Sequence, residues 1–208
     1  MTNTDDLVDF FQIAEKLECE YRLTRMSNGE TQAVASHSWN MAMLAIVLHK
    51  YFKKSVNLER VLELCALHDL PEAIAHDVPL HQQTEAVKKK KHNDEVNAIH
   101  TIDNLLHDKD ICDKFAEYES MQTNEAKIVK LLDILDTGIQ HMCAKDLSYI
   151  GTYNDGFYWK LFFSDKFAAR FDFEPVLHRV FDVVRARVAA RLKNELGIDY
   201  AVFTKEDV

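Results

Sequence analysis

Five glycines and three prolines among 208 residues leave this chain short of the residues that punctuate strands and tight turns. A β-sandwich or a doubly wound sheet of this length would need more of both, so an all-α fold is expected. Nearly half of the residues are hydrophobic and 28% are charged, an ordinary globular balance. The length suits one domain with its own core, residues 1–208.

Apolar residues at helical spacing mark the elements. Asp5 to Leu17 reads as a first helix with Leu7, Phe10, Phe11 and Ala14 inward. Residues Thr24 to Gln32 are polar around Asn28-Gly29, and because their flanks do not alternate they are expected to form a loop. Ala35 to Phe52 is a strongly apolar helix with Met41, Leu44, Ala45 and Leu48 buried. Asn57 caps a helix from Leu58 to about Leu70, which stops at Pro71. Further helices are expected over Glu85–Leu106, Asp110–Ser120 and Thr123–Ala144, with Ile128, Leu131, Leu132 and Leu135 inward in the last. A final helix, Glu174–Leu196, ends at Gly197. Between them lies an aromatic stretch, Tyr149, Tyr153, Phe157, Tyr158, Trp159, Phe162, Phe163 and Phe167, which reads as core or dimer interface.

A net charge of -9 repels nucleic-acid backbones and anionic membranes. Neither partner is expected. The run Lys88–Lys91 reads as a solvated helix face. Cys19, Cys65, Cys112 and Cys143 are scattered without a C-x-x-C pair, which speaks against a disulfide framework and for a reducing compartment. The N-terminus has no basic region followed by an apolar stretch, and no apolar run is long enough to span a bilayer. A cytoplasmic enzyme is expected.

The chemistry concentrates where an apolar helix ends in Leu67-His68-Asp69-Leu70-Pro71-Glu72 and continues to His76-Asp77-Val78-Pro79. His68 and Glu72, four apart, share one helix face. Ionisable groups following a hydrophobic run need compensation, and a divalent cation supplies it. His37 at the head of the second helix and Asp133, set among leucines and isoleucine, complete a candidate ligand set. Two imidazoles and two carboxylates suit Mn, Fe, Co, Ni or Zn more than Ca; Mg stays among the candidate ions.

The order His37, then His68-Asp69, then Asp133 resembles the H…HD…D signature of the HD-domain phosphohydrolases, in particular the bacterial 5′-deoxynucleotidase branch. The similarity extends to V-x-x-H-S (Val34 to Ser38), H-D-x-x-E followed by D-x-P (His68 to Pro79) and V-K-x-x-D-x-L (Val129 to Leu135). Arg22 also matches. The resemblance covers roughly Asp6 to Ala144, leaving segment 146–196 to pack on that core. Two positions depart from the pattern: Ser36 stands where an acid is common, and His76 where glycine is common.

The resemblance implies one divalent ion held by His37, His68, Asp69 and Asp133, which activates water and neutralises charge developing on a phosphoryl group. It implies Glu72 as general base, Arg22 as the phosphate grip and Asp77 as acceptor from the sugar 3′-hydroxyl. Arg25 competes with Arg22 for the phosphate. Trp39 can stack on a base, although core packing is the stronger expectation. His49, His81, His107, His141 and His178 read as surface or filler, and His92 and His100 as a solvent-facing stretch rather than a second metal site. The implied reaction removes the 5′-phosphate of (deoxy)nucleoside monophosphates, in a homodimer. The alternatives are a triphosphohydrolase or phosphodiesterase on the same scaffold, and a non-catalytic nucleotide-binding HD domain.

Overall fold

The computed structural model describes residues 3–79, 84–152 and 162–199. The described residues form nine α-helices, short 3₁₀ turns and one two-stranded hairpin. Helix α1 (Thr4–Glu15) leads into β1 (Tyr21–Arg25) and β2 (Thr31–Ala33), then α2 (Val34–Leu48), α3 (Leu58–Leu67) and the single turn α4 (Glu72–Ala75). After these come α5 (Glu85–Leu106), α6 (Asp110–Ser120), α7 (Asn124–Cys143), another single turn α8 (Asp165–Ala168) and α9 (Pro175–Leu196). None of the described helices is long and apolar enough to cross a membrane.

Local chemistry sets the helix ends. Asn57 Oδ1 accepts the Glu59 N–H at 2.9 Å, Thr84 Oγ1 that of Val87 and Thr123 Oγ1 that of Ala126, each filling a donor that the first turn leaves unpaired. Gly197, at φ 70°, ends α9 in the left-handed conformation that glycine adopts without strain.

Helix α7 is the axis of the larger core. Its Ile128, Val129, Leu132 and Leu135 are fully buried, together with Met41 and Ala45 of α2 and Val61 and Leu64 of α3. Helix α9 lies along α7 so tightly that a Cβ on Gly138 would come within 2.9 Å of Val184 Cγ1 and 3.1 Å of Phe162 Cζ. Arg191 of α9 donates to the carbonyls of His141, Met142 and Ala144 at the end of α7. A smaller core gathers Leu17, Val34, Leu70, Ala73 and Ile102 under α1 and α5.

The expected aromatic core forms where it is described. Phe171 and Phe181 stack at 4.2 Å between centroids, and Phe162 meets Phe181 edge-on at 5.1 Å. Phe167 is buried beside them, and Tyr149 is buried against His141. Tyr153, Phe157, Tyr158, Trp159 and His81 lie outside the described residues.

Four expectations are corrected. The stretch around Asn28-Gly29 is an antiparallel hairpin, pairing Tyr21 with Ala33 and Arg25 with Thr31 across an irregular register. It hides from an alternation test because its sense is inverted: Arg22, Thr24 and Gln32 turn inward, whereas Tyr21 and Leu23 face out. In α1, Leu7 and Phe11 are exposed, and only Phe10, Ile13 and Ala14 pack inward. Trp39 is not core but 65% exposed. His141, in contrast, is buried, and its Nδ1 lies 2.6 Å from the Tyr149 hydroxyl. Burial, reinforced by the charge of Arg22, pushes the His141 imidazole down to about 3.

Candidate metal centre

Three packed elements converge at one point. The first turn of α2 carries His37, the end of α3 carries His68 and Asp69, and the middle of α7 carries Asp133. His68 Nε2 lies 3.1 Å from Asp69 Oδ2, and His37 Nε2 lies 3.2 Å from Asp133 Oδ1 and 3.9 Å from Asp69 Oδ2. One ligand atom each from His37, His68 and Asp69 fall within 4.8 Å of one another. The two rings stand 5.3 Å apart, edge to face.

The outward nitrogens decide what this cluster can hold. Nε2 of His37 and Nε2 of His68 are both buried without a well-formed hydrogen bond, a costly state for polar atoms unless something else meets them. The opposite nitrogens are fixed from behind. His37 Nδ1 lies 2.7 Å from the buried Asp136 Oδ2, and His68 Nδ1 lies 3.0 Å from the Cys65 carbonyl. When each Nδ1 donates, each Nε2 lone pair points into the cluster, as a metal-binding imidazole requires. Two such lone pairs and two carboxylates fit a divalent transition ion or Mg.

Electrostatics agree. Burial alone would raise the carboxyl of Asp69, but His68, His37 and Arg22 outweigh it and hold the group below the ordinary range. Burial opposes Asp133 too, and it is held well down by His37, Lys130 and Arg22. Both carboxyls are thereby favoured in the anionic form that a metal ligand needs. Lys130 Nζ stands 3.8 Å from the second oxygen of Asp133 and donates to the Tyr118 hydroxyl at 2.8 Å.

Arg22 reaches the cluster from β1. Its guanidinium lies 3.6 Å from Asp69 Oδ2 and 4.0 Å from Asp133 Oδ1, and it donates to Thr137 Oγ1 at 3.1 Å. Arg25, the competing candidate, lies over the Tyr149 ring. Inward polar residues of the hairpin thus line the centre, and this is why the strands read as a loop.

Glu72 opens α4 and is 4% exposed. Burial, followed by the charges of Asp69 and Asp77, pushes its carboxyl up to about 9 against the opposing pull of Lys91. Asp77 is half-buried, and it too is raised by burial while Arg22 and Lys91 pull it down. Glu72 and Asp77 thus feel each other and share the charges of Asp69 and Lys91. Trp39 does not join them. Two residues beyond His37 on a helix, it points to the other side and lines surface grooves with Phe11, Ala35 and Asn40. His92 stands 3.5 Å from Glu119, and His100 groups with Asp103 and Cys112, so neither extends the cluster.

Sequence reasoning missed three supports. Asp136 accepts from His37, Gln32 and Gln140; its signal was a second acid one turn beyond Asp133 on an apolar helix. Lys91, expected in solvent, turns inward to Glu72 Oε1 at 2.9 Å. Glu20 accepts the Asp77 N–H at 3.0 Å and pairs with His76 Nδ1 at 3.0 Å. His76 itself has φ 65°, a conformation natural to glycine and strained for other residues.

Comparison with known proteins gives this geometry a lineage. Residues 14–160 match a family model described as HD domain. The chain belongs to the HD domain family. A 5′-deoxynucleotidase HDDC2 of Danio rerio is 36% identical over 114 residues, covering 53% of this chain and 54% of that one. The protein of the same name from Dictyostelium discoideum is 31% identical over 143 residues, covering 64% of this chain and 74% of that one. The HD-domain chain therefore spans about half the length of the first relative. A crystal structure described as a predicted metal-dependent phosphohydrolase, from Magnetospirillum magnetotacticum MS-1, superposes with a TM-score of 0.72 at 22% identity, covering 91% of this chain and 94% of that one. At that identity the likeness speaks for the fold.

Proposed function

We propose that this HD-domain chain is a metal-dependent phosphomonoesterase that removes the 5′-phosphate from (deoxy)nucleoside monophosphates, working as one domain. The observation that carries the reading is the pair of buried, unpaired imidazole nitrogens facing two ionised carboxylates. His37, His68, Asp69 and Asp133 would hold one divalent ion. When bound, such an ion makes water more acidic and neutralises charge that develops on a phosphoryl group.

The remaining steps belong to the protein. The Arg22 guanidinium, steadied by Thr137, presents its planar fork to the phosphate oxygens. A cation beside Asp69 would offset the charge that helps to raise Glu72. The Glu72 carboxylate is then left to take the proton of water as that water attacks phosphorus and the bond from phosphorus to O5′ breaks. The electron pair goes to O5′, which takes a proton from solvent, leaving a nucleoside and inorganic phosphate. Asp77, tied back by Glu20, accepts a hydrogen bond from the sugar 3′-hydroxyl. Longer polyphosphates need more cationic contacts, and the basic side chains around the centre are Arg22, Lys91 and Lys130. This favours a monophosphate.

The homodimer belongs to the same proposal. Trp39, Met43, Ile46 and Val47 of α2, and Tyr51 beyond it, are each at least 39% exposed. Their spacing makes one apolar stripe, large for a free surface and suited to pairing across a two-fold axis. Trp39 is thereby assigned to the interface and not to the base. All four thiols are free, in keeping with a reducing compartment such as the cytoplasm.

The test is phosphate release by the purified chain from a panel of nucleoside mono-, di- and triphosphates and a phosphodiester, with Mn, Co or Mg and with or without chelator. Chelator-sensitive release from 5′-monophosphates alone is expected. Release of triphosphate would assign the triphosphohydrolase reading, and nucleotide binding without turnover the silent one.

A further inference from the structure

Glu72 poses a mechanical problem that its own helix does not solve. Helix α4 is a single turn, and the Glu72 carboxylate is buried close to the charges of Asp69 and Asp77. Burial and the charges of Asp69 and Asp77 disfavour the ionised form that a general base needs. The attraction comes from α5, where Lys91 Nζ lies 2.9 Å from Glu72 Oε1.

Lys91 is built differently from its neighbours in the same basic run. Its side chain is 17% exposed, against 50% for Lys88 and 76% for Lys90. Lys88 and Lys90 pair with exposed or half-exposed acids of their own helix, Glu85 and Asp94. Lys91 has two partners from two elements: Glu72 across the interface, and Glu95 one turn along α5, at 2.5 Å. The i,i+4 spacing puts Glu95 on the same face of α5. Glu95 anchors the ammonium, and the ammonium holds Glu72. A lysine spends rotamer entropy to be fixed in this way, a cost that a solvated helix face never incurs.

We propose that Lys91 is a positioning residue for the hydrolysis: its ammonium, anchored by Glu95, occupies Oε1 of Glu72 and thereby offers Oε2 to the attacking water. This rests on the reading of Glu72 as proton acceptor. The role is that of an outer partner which orients a reacting group without touching the substrate, and loss of such partners typically costs about 10–100-fold in activity.

The experiment compares wild type, Lys91→Met, Lys91→Arg and Glu95→Gln as full chains with Mn, using 2′-deoxyadenosine 5′-monophosphate as substrate. For each, kcat and KM are measured together with Mn affinity by calorimetry and the melting temperature. Lys91→Met is expected to lower kcat by about 10–100-fold, with KM and Mn affinity within about twofold of wild type. Lys91→Arg, which keeps the charge and can reach both acids, should recover most of the loss. Glu95→Gln should lower kcat less than Lys91→Met, again without moving KM. Unchanged kcat in Lys91→Met, a loss confined to KM or Mn affinity, or no recovery by arginine would overturn the proposal. If Lys91→Met does not fold, wild-type kcat in Glu95→Gln overturns it instead. Wild-type turnover is the control for the underlying reading. Its absence removes the reaction Lys91 would serve, whereas wild-type turnover with an unaffected Lys91→Met refutes Lys91 alone.

Discussion

Asp136→Asn isolates what the carboxylate behind His37 does. In the folded chain Asp136 Oδ2 lies 2.7 Å from His37 Nδ1 and 3.2 Å from Gln32 Nε2, while Oδ1 takes Gln140 Nε2 at 3.4 Å. Asparagine has the same shape. Its carbonyl oxygen can take the Oδ2 place and keep both His37 and Gln32, and its amide then faces Gln140, which can rotate its own oxygen inward. Stability should therefore fall by no more than about 1.5 kcal/mol, because the hydrogen bonds persist and only the charge assistance is lost.

The effect on metal binding is larger. A hydrogen bond to an ionised acceptor contributes about 1.5–3 kcal/mol and a neutral one roughly half of that. The ring thus loses about 0.75–1.5 kcal/mol of orientation, roughly 4–13-fold in a binding constant. The negative charge that makes Nε2 a better donor is lost as well, which places the expected fall in Mn affinity within the 10–100-fold range typical of such partners. Calorimetric titration of Mn into wild type and variant, with urea unfolding as the stability control, makes the measurement. A folded Asp136→Asn chain that binds Mn within about threefold of wild type would refute the argument that this carboxylate fixes the ring.

Three further outcomes are expected. Glu72→Gln should lower kcat by about 10²–10⁴-fold, as for loss of a general base, while Mn affinity by calorimetry stays near wild type; comparable loss of both would make Glu72 a ligand instead. Gly138→Ala should destabilise by about 1–3 kcal/mol through overpacking, because the added methyl meets Val184 and Phe162; an unchanged urea midpoint would show that α7 and α9 separate at little cost. His141 is held neutral, with its pKa down to about 3 against an ordinary value of about 6.5. Between those values the unfolded chain binds the extra proton, so stability present at neutral pH is lost as pH falls, by up to about 1.4 kcal/mol per pH unit. Urea midpoints at stepped pH should fall more steeply below the ordinary histidine value in wild type than in His141→Gln, and parallel curves would contradict the burial argument.

Much of the architecture was legible because it is local. Helices α5 and α6 begin and end where periodicity and flanking residues place them, and Asn57, Thr123 and Gly197 cap as their chemistry dictates. The candidate ligands were legible for another reason: ionisable groups set in apolar helices have few ways to be tolerated. What stayed hidden depends on neighbours. The hairpin inverts the usual alternation because its inward face borders a polar centre. Trp39 and Met41 both belong to an apolar helix, and only the packing of α3 and α7 decides that Met41 is the one buried. Lys91 is indistinguishable in sequence from Lys88, Lys89 and Lys90 until α4 is placed against α5. His76 is a departure whose backbone cost appears only with its φ angle.

The convergence of α2, α3 and α7 also bears on how long the protein survives. Its donors are far apart along the chain, and an unfolded chain offers no comparable grip, so a cation seated there acts as a rivet through three helices. At a free concentration a hundredfold above its Kd, one such ion adds about 2.7 kcal/mol to the folded state. Heat tolerance and protease resistance would then rise and fall with the surrounding supply of the ion, and scarcity would thin the population of intact molecules as well as idle it.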